Sequence, residues 1–208
     1  MRPSIFMIAI LLICQATRGR ADVIFNLYEG NDDPSSLTSA LSGQTGPIDF
    51  SISGVTATFS TPDGIMNRSE KGFGVNGSRS GDATFALDGS DALDVMFSTD
   101  ITITKLDLRN MTTGESLTIS IGTKVDETFN PLTTYEIAES DLDDKISDYK
   151  ENLAWFVEAN QTVRFSATAS ESDNHIAIDA IHVIPEPTTT ALLICSAVTT
   201  LALHRFFR

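Results

Sequence analysis

The stretch Leu93-Asp94-Val95-Met96-Phe97, followed after a three-residue break by Ile101-Thr102-Ile103, decides the fold. Apolar and polar side chains alternate through it. A period of two sends every second side chain to one face of an extended chain, and a helix cannot sort the same residues into one stripe. Two such runs with a short polar connection read as two strands, each with one face buried and one face wet.

The pattern repeats outward from that point. Upstream it recurs at Val23-Phe25-Leu27, Ile48-Phe50-Ile52 and Val55-Ala57-Phe59. Downstream it recurs at Leu106-Leu108, Leu117-Ile119-Ile121, Val163-Phe165-Ala167, Ile176-Ile178 and Ile181-Val183. The connections carry turn chemistry, as in Thr61-Pro62-Asp63-Gly64 and Asp88-Gly89-Ser90. Many short strands with such turns predict an all-β domain over residues 22–184, an antiparallel β-sandwich of jelly-roll-like kind. One segment departs from the pattern. From Ser140 to Asn152, Leu142, Ile146 and Tyr149 recur at helical spacing, and Leu153 continues the series. Ser140 with Asp143 resembles a capping box, and Asp141, Asp143 and Asp144 would sit in the first turn, where the helix dipole favours acids. One short helix on the sandwich edge is therefore expected.

The charge is distributed unevenly. The chain has 208 residues with a net charge of −14, yet residues 22–184 hold 9 bases against 27 acids, a net −18. Arg2, Arg18, Arg20, Arg205 and Arg208 supply positive charge at the two ends. An acidic body stays soluble, repels polyanions and excludes nucleic acid as a partner, since it has no row of cations to meet the phosphates. The two cysteines, Cys14 and Cys195, lie outside the body. The body has no thiol nucleophile, no cysteine metal site and no disulfide, and its core alone must hold it together.

The ends read as targeting segments. Arg2 precedes the apolar run Ile5 to Cys14, too short for the roughly 20 residues that span a bilayer. Gly19 and Ala21 then place small residues before a cut at Ala21/Asp22. Residues 1–21 are expected to be a cleavable signal peptide. At the other end, Pro187 to His204 contains no Asp, Glu, Lys or Arg, and Arg205 and Arg208 follow. Residues of about 188–204 are expected to form one transmembrane helix with the basic tip inside and the body outside. Pro185 and Pro187 stop any helix or strand from running into it.

Pro185-Glu186-Pro187, the apolar run and the basic terminus together resemble the PEP-CTERM sorting signal of Gram-negative bacteria. The resemblance covers residues 185–208. Looser likeness to the bodies of such proteins lies in Gly72-Phe73-Gly74-Val75-Asn76, in Ala86 to Leu93, and in Glu171 to Ile181. The resemblance implies a substrate of exosortase, a membrane protease-transpeptidase that recognises the tail, and a destination in the outer envelope or an exopolysaccharide matrix. A eukaryotic GPI signal is the rival reading. Four N-x-S/T triplets, at Asn67, Asn76, Asn110 and Asn160, would suit it, but the charged tip would not.

Catalytic patterns are absent from the sequence. No Gly-x-Ser-x-Gly elbow and no His-Glu-x-x-His occur. His175 and His182 are seven apart, on opposite faces of a regular strand, and each is expected at a surface or edge. Asp141-x-Asp143 is followed by Lys145 where an EF-hand needs an oxygen ligand. The excess of acid motivates weak structural calcium binding near Asp88 and Asp91, or near Asp173 and Asp179. Trp155-Phe156 and Phe165 are expected to pack in the core, not on a sugar. The expected function is a secreted, non-catalytic surface or matrix protein. A carbohydrate-binding module of an exopolysaccharide matrix and a small extracellular hydrolase are the alternatives.

Overall fold

The computed structural model describes residues 22–27, 41, 43–69, 72–76, 87, 91–143, 149–167 and 176–187. The expected signal segment through Ala21, residues 188–204, Arg205 and Arg208 lie outside the described residues, as do Asp88, Asp173 and His175. Among the described residues no helix is long and apolar enough to cross a membrane.

The alternating runs become strands: β1 (Val23–Asn26), β2 (Ile48–Ile52), β3 (Val55–Ser60), β4 (Ile65–Ser69), β5 (Gly72–Asn76), β6 (Ala92–Phe97), β7 (Ile101–Arg109), β8 (Ser116–Val125), β9 (Thr128–Ala138), β10 (Tyr149–Lys150), β11 (Trp155–Val157), β12 (Thr162–Ala167) and β13 (Ala177–Pro185). They form two sheets, and every pair of neighbouring strands is antiparallel. The first sheet is built on β7 and β13 side by side. β10 and β11 both pair with β7, while β1 and β5 both pair with β13, and β4 follows β5. The second runs β2-β3-β6-β12-β8-β9.

The inward faces share one core. Leu93, Val95 and Phe97 of β6 join Val163 and Phe165 of β12 and Ile101, Ile103, Leu106 and Leu108 of β7 in a single apolar cluster. Aromatic rings bridge the sheets. Phe25 of β1 meets Phe59 of β3 at 6.3 Å and Phe97 of β6 at 5.8 Å between ring centroids. Across the layers elsewhere, Trp155 of β11 stacks on Tyr135 of β9 at 4.5 Å. Trp155 thus packs as expected, whereas its neighbour Phe156 is exposed. The arrangement is sandwich-like, with almost no helix.

Two phase slips in the apolar pattern have a structural cause. Along β7 the inward residues step from Ile103 to Leu106, and along β13 from Ile178 to Ile181. The pairing of these strands shifts register at two places, leaving Thr104 and Asp179 as the extra residues. Each is a β-bulge, which adds one residue and re-aims those beyond it. The bulges keep both apolar sets inward and turn His182 to the outer face.

Among the described residues of the expected edge helix, no α-helical turn occurs. Glu139–Asp141 forms a single 3-10 turn, Leu142 is already extended, and Tyr149–Lys150 pairs with β7; residues 144–148 lie outside the described residues. The acids that were to serve a helix serve the loop. Asp141 accepts the Ala138 N–H at 3.0 Å, and Asp143 accepts the Glu151 N–H at 2.8 Å. Short acidic side chains compete in this way with helical backbone bonds. Downstream, Tyr149, Lys150 and Leu153 find main-chain partners on β7, the last through its N–H to the Thr104 carbonyl at 3.0 Å.

Candidate functional site

The first and last strands define one pole of the molecule. β1 and β13 pair with Val23 opposite Val183. Because they are antiparallel, Asp22 and Ile184 sit side by side where the chain enters and leaves. β13 continues through Ile184 to Pro185, which stands opposite Ile101, so the body reaches one residue beyond the expected boundary. Proline without an N–H suits this terminal strand position.

The Pro185-Glu186-Pro187 tripeptide is partly held by the body. The Glu186 N–H donates to the Asp100 carbonyl at 2.9 Å, and its carboxylate accepts the Thr102 hydroxyl at 2.6 Å. Asp100 also accepts the Ala159 N–H at 2.7 Å through its side chain. One aspartate thereby ties the β11–β12 turn to the root of the tail. Pro187 is exposed.

Beside this root lies a cluster that sequence reasoning missed. His182 is buried, not a surface residue. Its Nε2 is 2.9 Å from Asp107 Oδ2, and its Nδ1 is 3.1 Å from Asp22 Oδ2. Carboxylates only accept, so both contacts are hydrogen bonds only when both ring nitrogens carry protons, that is, in the imidazolium. The hydrogen bond to Asp107 is the main cause lifting the His182 pKa above its ordinary 6.5; burial opposes it and Asp22 reinforces it. For Asp107, burial pushes upward, but the hydrogen bonds and charges of His182 and Lys105 together outweigh it and hold the pKa below 3.8. Lys105 Nζ stands 2.9 Å from Asp107 Oδ1 and 3.9 Å from Glu151. Asp22 is further steadied by the Thr104 hydroxyl at 3.4 Å. The signal in the sequence was the pair of phase slips flanking His182, which mark the bulges that turn it towards Asp107.

Of the expected calcium ligands, Asp91 and Asp179 are described, while their expected partners Asp88 and Asp173 lie outside the described residues. Asp179, at the bulge in β13, accepts Arg109 Nε at 2.8 Å, so a guanidinium already meets the charge that a cation would neutralise. Asp91 is buried at the start of β6. No group of three or more His, Cys, Asp or Glu among the described residues could hold a metal ion.

The outer face of the second sheet carries a different arrangement. Asp94 of β6 accepts Arg164 of β12 through both oxygens, at 2.7 Å from Nε and 2.8 Å from Nη2. The guanidinium lies 4.4 Å from the centre of the Phe129 ring. Beside this pair is a cleft of about 360 Å³. Family models, curated proteins and solved structures offer no match to this chain.

Proposed function

We propose that the chain is a secreted, envelope-attached, non-catalytic surface or matrix protein: a jelly-roll-like sandwich held by one pole to the membrane. The observation that carries this reading is the pairing of β1 with β13. It supports the reading because Asp22, which would follow a cleaved signal peptide, and Pro185, which would begin the anchor, lie at the same pole. Both segments that would meet the membrane then leave the body side by side, and the opposite pole and both outer faces are displayed.

The strand order supports the jelly-roll part. Taken without β2 to β5, the first sheet reads β1-β13-β7 followed by β10 and β11, and the second reads β6-β12-β8-β9. That is the order of two interleaved Greek keys. β2 and β3 widen the second sheet, and β4 and β5 widen the first.

Cell fractionation tests the proposal. The full chain is expected in the envelope, and a chain ending at Pro187, which keeps all thirteen strands, is expected in the medium or periplasm. Replacing Arg205 and Arg208 by Ser should weaken retention, because each arginine resists passage across the bilayer by about 2.5–3.5 kcal/mol. Replacing Pro185 and Pro187 by Ala should spare insertion and impair exosortase cleavage. If the chain ending at Pro187 stays in the envelope as fully as the intact one, the tail is not the attachment.

A further inference from the structure

We propose that the cleft on the outer face of the second sheet binds a neutral saccharide, as a mono- or disaccharide unit of a larger glycan. Five separate parts of the chain converge on it. Thr45 to Pro47 and the end of β3 at Ser60 form one wall, Lys124 and Glu127 at the β8–β9 hairpin form the other, and Asn160 closes one end. The floor is a row fixed by strand register: Thr58 of β3 opposite Met96 of β6, and Met96 opposite Thr162 of β12.

Size and chemistry select the ligand class. A volume of about 360 Å³ lies at the lower end of the roughly 300–1,000 Å³ of small-molecule sites. Hydroxyls of Thr45, Ser60 and Thr162 and the amide of Asn160 can each donate and accept, and the Thr61 hydroxyl, which donates to the Asp63 carbonyl, can accept. A sugar hydroxyl needs partners of that kind. Met96 and Pro47 add apolar surface for the C–H face of a ring.

The charges argue against an ionic ligand. Asp94 and Glu127 are matched by Arg164 and Lys124. Asp94 has both oxygens on Arg164 and Lys124 at 3.9 Å, and Lys124 lies 2.9 Å from Glu127. Neither a free cation nor a free carboxylate remains in the wall to attract an anion or a metal. Gly46 brings its backbone against β3 so closely that a Cβ would fall 2.6 Å from the Phe59 carbonyl oxygen. The wall is thus built of main chain, which is fixed in place before a ligand arrives.

Titration calorimetry on the full chain, in a detergent without sugar headgroups, tests the site. The probes are neutral gluco-, manno- and galacto-oligosaccharides, a uronic-acid oligosaccharide and calcium chloride. Saturable binding of at least one neutral probe is expected. The double variant Ser60→Ala, Asn160→Gly should weaken it at least tenfold. Asn160 has a φ of +67°, so glycine fits its backbone without strain. Thr134→Val, on the same sheet but outside the cleft, should leave affinity unchanged. The proposal falls if no neutral probe binds, if the uronic acid or calcium binds more tightly than any neutral probe, or if the double variant binds as well as the parent. Fractionation of the same preparations reads the attachment separately, so loss of one result leaves the other intact.

Discussion

The two sheets each hold a carboxylate on the outer face, and they hold it by different chemistry. On the second sheet Asp94 meets a guanidinium, and Arg164 is charged at every working pH. On the first sheet Asp107 meets His182, whose charge depends on pH, with Lys105 alongside. Asp94 is almost fully buried at 3% side-chain exposure, and Asp107 is half-buried at 27%. The deeper charge has the permanent partner. The shallower cluster, at the pole where both ends of the body emerge, has the conditional one. One pair therefore fixes the middle of a sheet, and the other fixes how its first strand is closed onto its last.

Breaking the permanent pair should have the largest effect. Arg164→Met leaves Asp94 buried with only Lys124 at 3.9 Å. A loss of about 3 kcal/mol is expected from the unpaired charge, read from the urea midpoint and independent of pH across the neutral range. Asp94→Leu combined with Arg164→Met should recover most of it, because the desolvated charge goes as well. If Arg164→Met unfolds at the parental midpoint, the buried pair is not what organises that face.

Breaking the conditional cluster should cost less and depend on pH. The His182 pKa is raised in the folded state, so its contribution is complete below its ordinary 6.5 and is lost as pH rises through the folded value. The Asp107 pKa is lowered, so its contribution is complete above 3.8 and is lost as pH falls through the folded value. The Asp107–His182 pair, with Lys105, Asp22 and Glu151 facing it, is then strongest between pH 3.8 and 6.5, the window set by Asp107 and His182. His182→Gln should cost about 1.5–3 kcal/mol within that window, the worth of hydrogen bonds to charged groups, and less above it. A parental melting temperature that does not fall from about pH 6 to about pH 9 would remove the distinction between the two sheets.

The same contrast explains what the sequence could reveal. Strands with one wetter face and one dry face were legible, because burial imposes alternation on them; β3, β8 and β12 are of this kind. The long strand β9 was not. It is the edge of its sheet and is exposed along most of its length, so Pro131 and Leu132 are tolerated and nothing enforces a period. Its two-residue turn, Asp126-Glu127, has positive φ at both positions without the usual glycine or asparagine. The His182 cluster was hidden for another reason. Asp22, Asp107 and His182 are far apart in the chain, and only strand pairing and two bulges bring them together. Thr45, Ser60 and Asn160 were equally silent, since hydroxyls and amides are common in every connection of this chain.

The smallest effect concerns Asp143, at the edge of the segment where a helix was expected. Leu142, Ile146 and Tyr149 have helical spacing, but period alone does not say whether the main chain has better partners elsewhere. Here Asp143 bridges back to the strand that follows: it takes the Glu151 N–H at 2.8 Å and Lys150 Nζ at 3.2 Å. The Glu151 N–H is the main cause holding the Asp143 pKa below 3.8, and Lys150 adds to it. A lowered carboxylate pKa means that this support is present above 3.8 and is lost as pH falls through the folded value. Asp143 is exposed, so Asp143→Ala should lower the melting temperature only slightly at neutral pH and leave no difference from the parent under strong acid. Far-UV circular dichroism at 222 nm should be unchanged by the substitution, because the described partners of that side chain, the Glu151 N–H and Lys150, lie outside any helix. A fall in the helical signal on replacing Asp143 would mean that it caps a helix after all, and that β10 is not the partner of β7 at that edge.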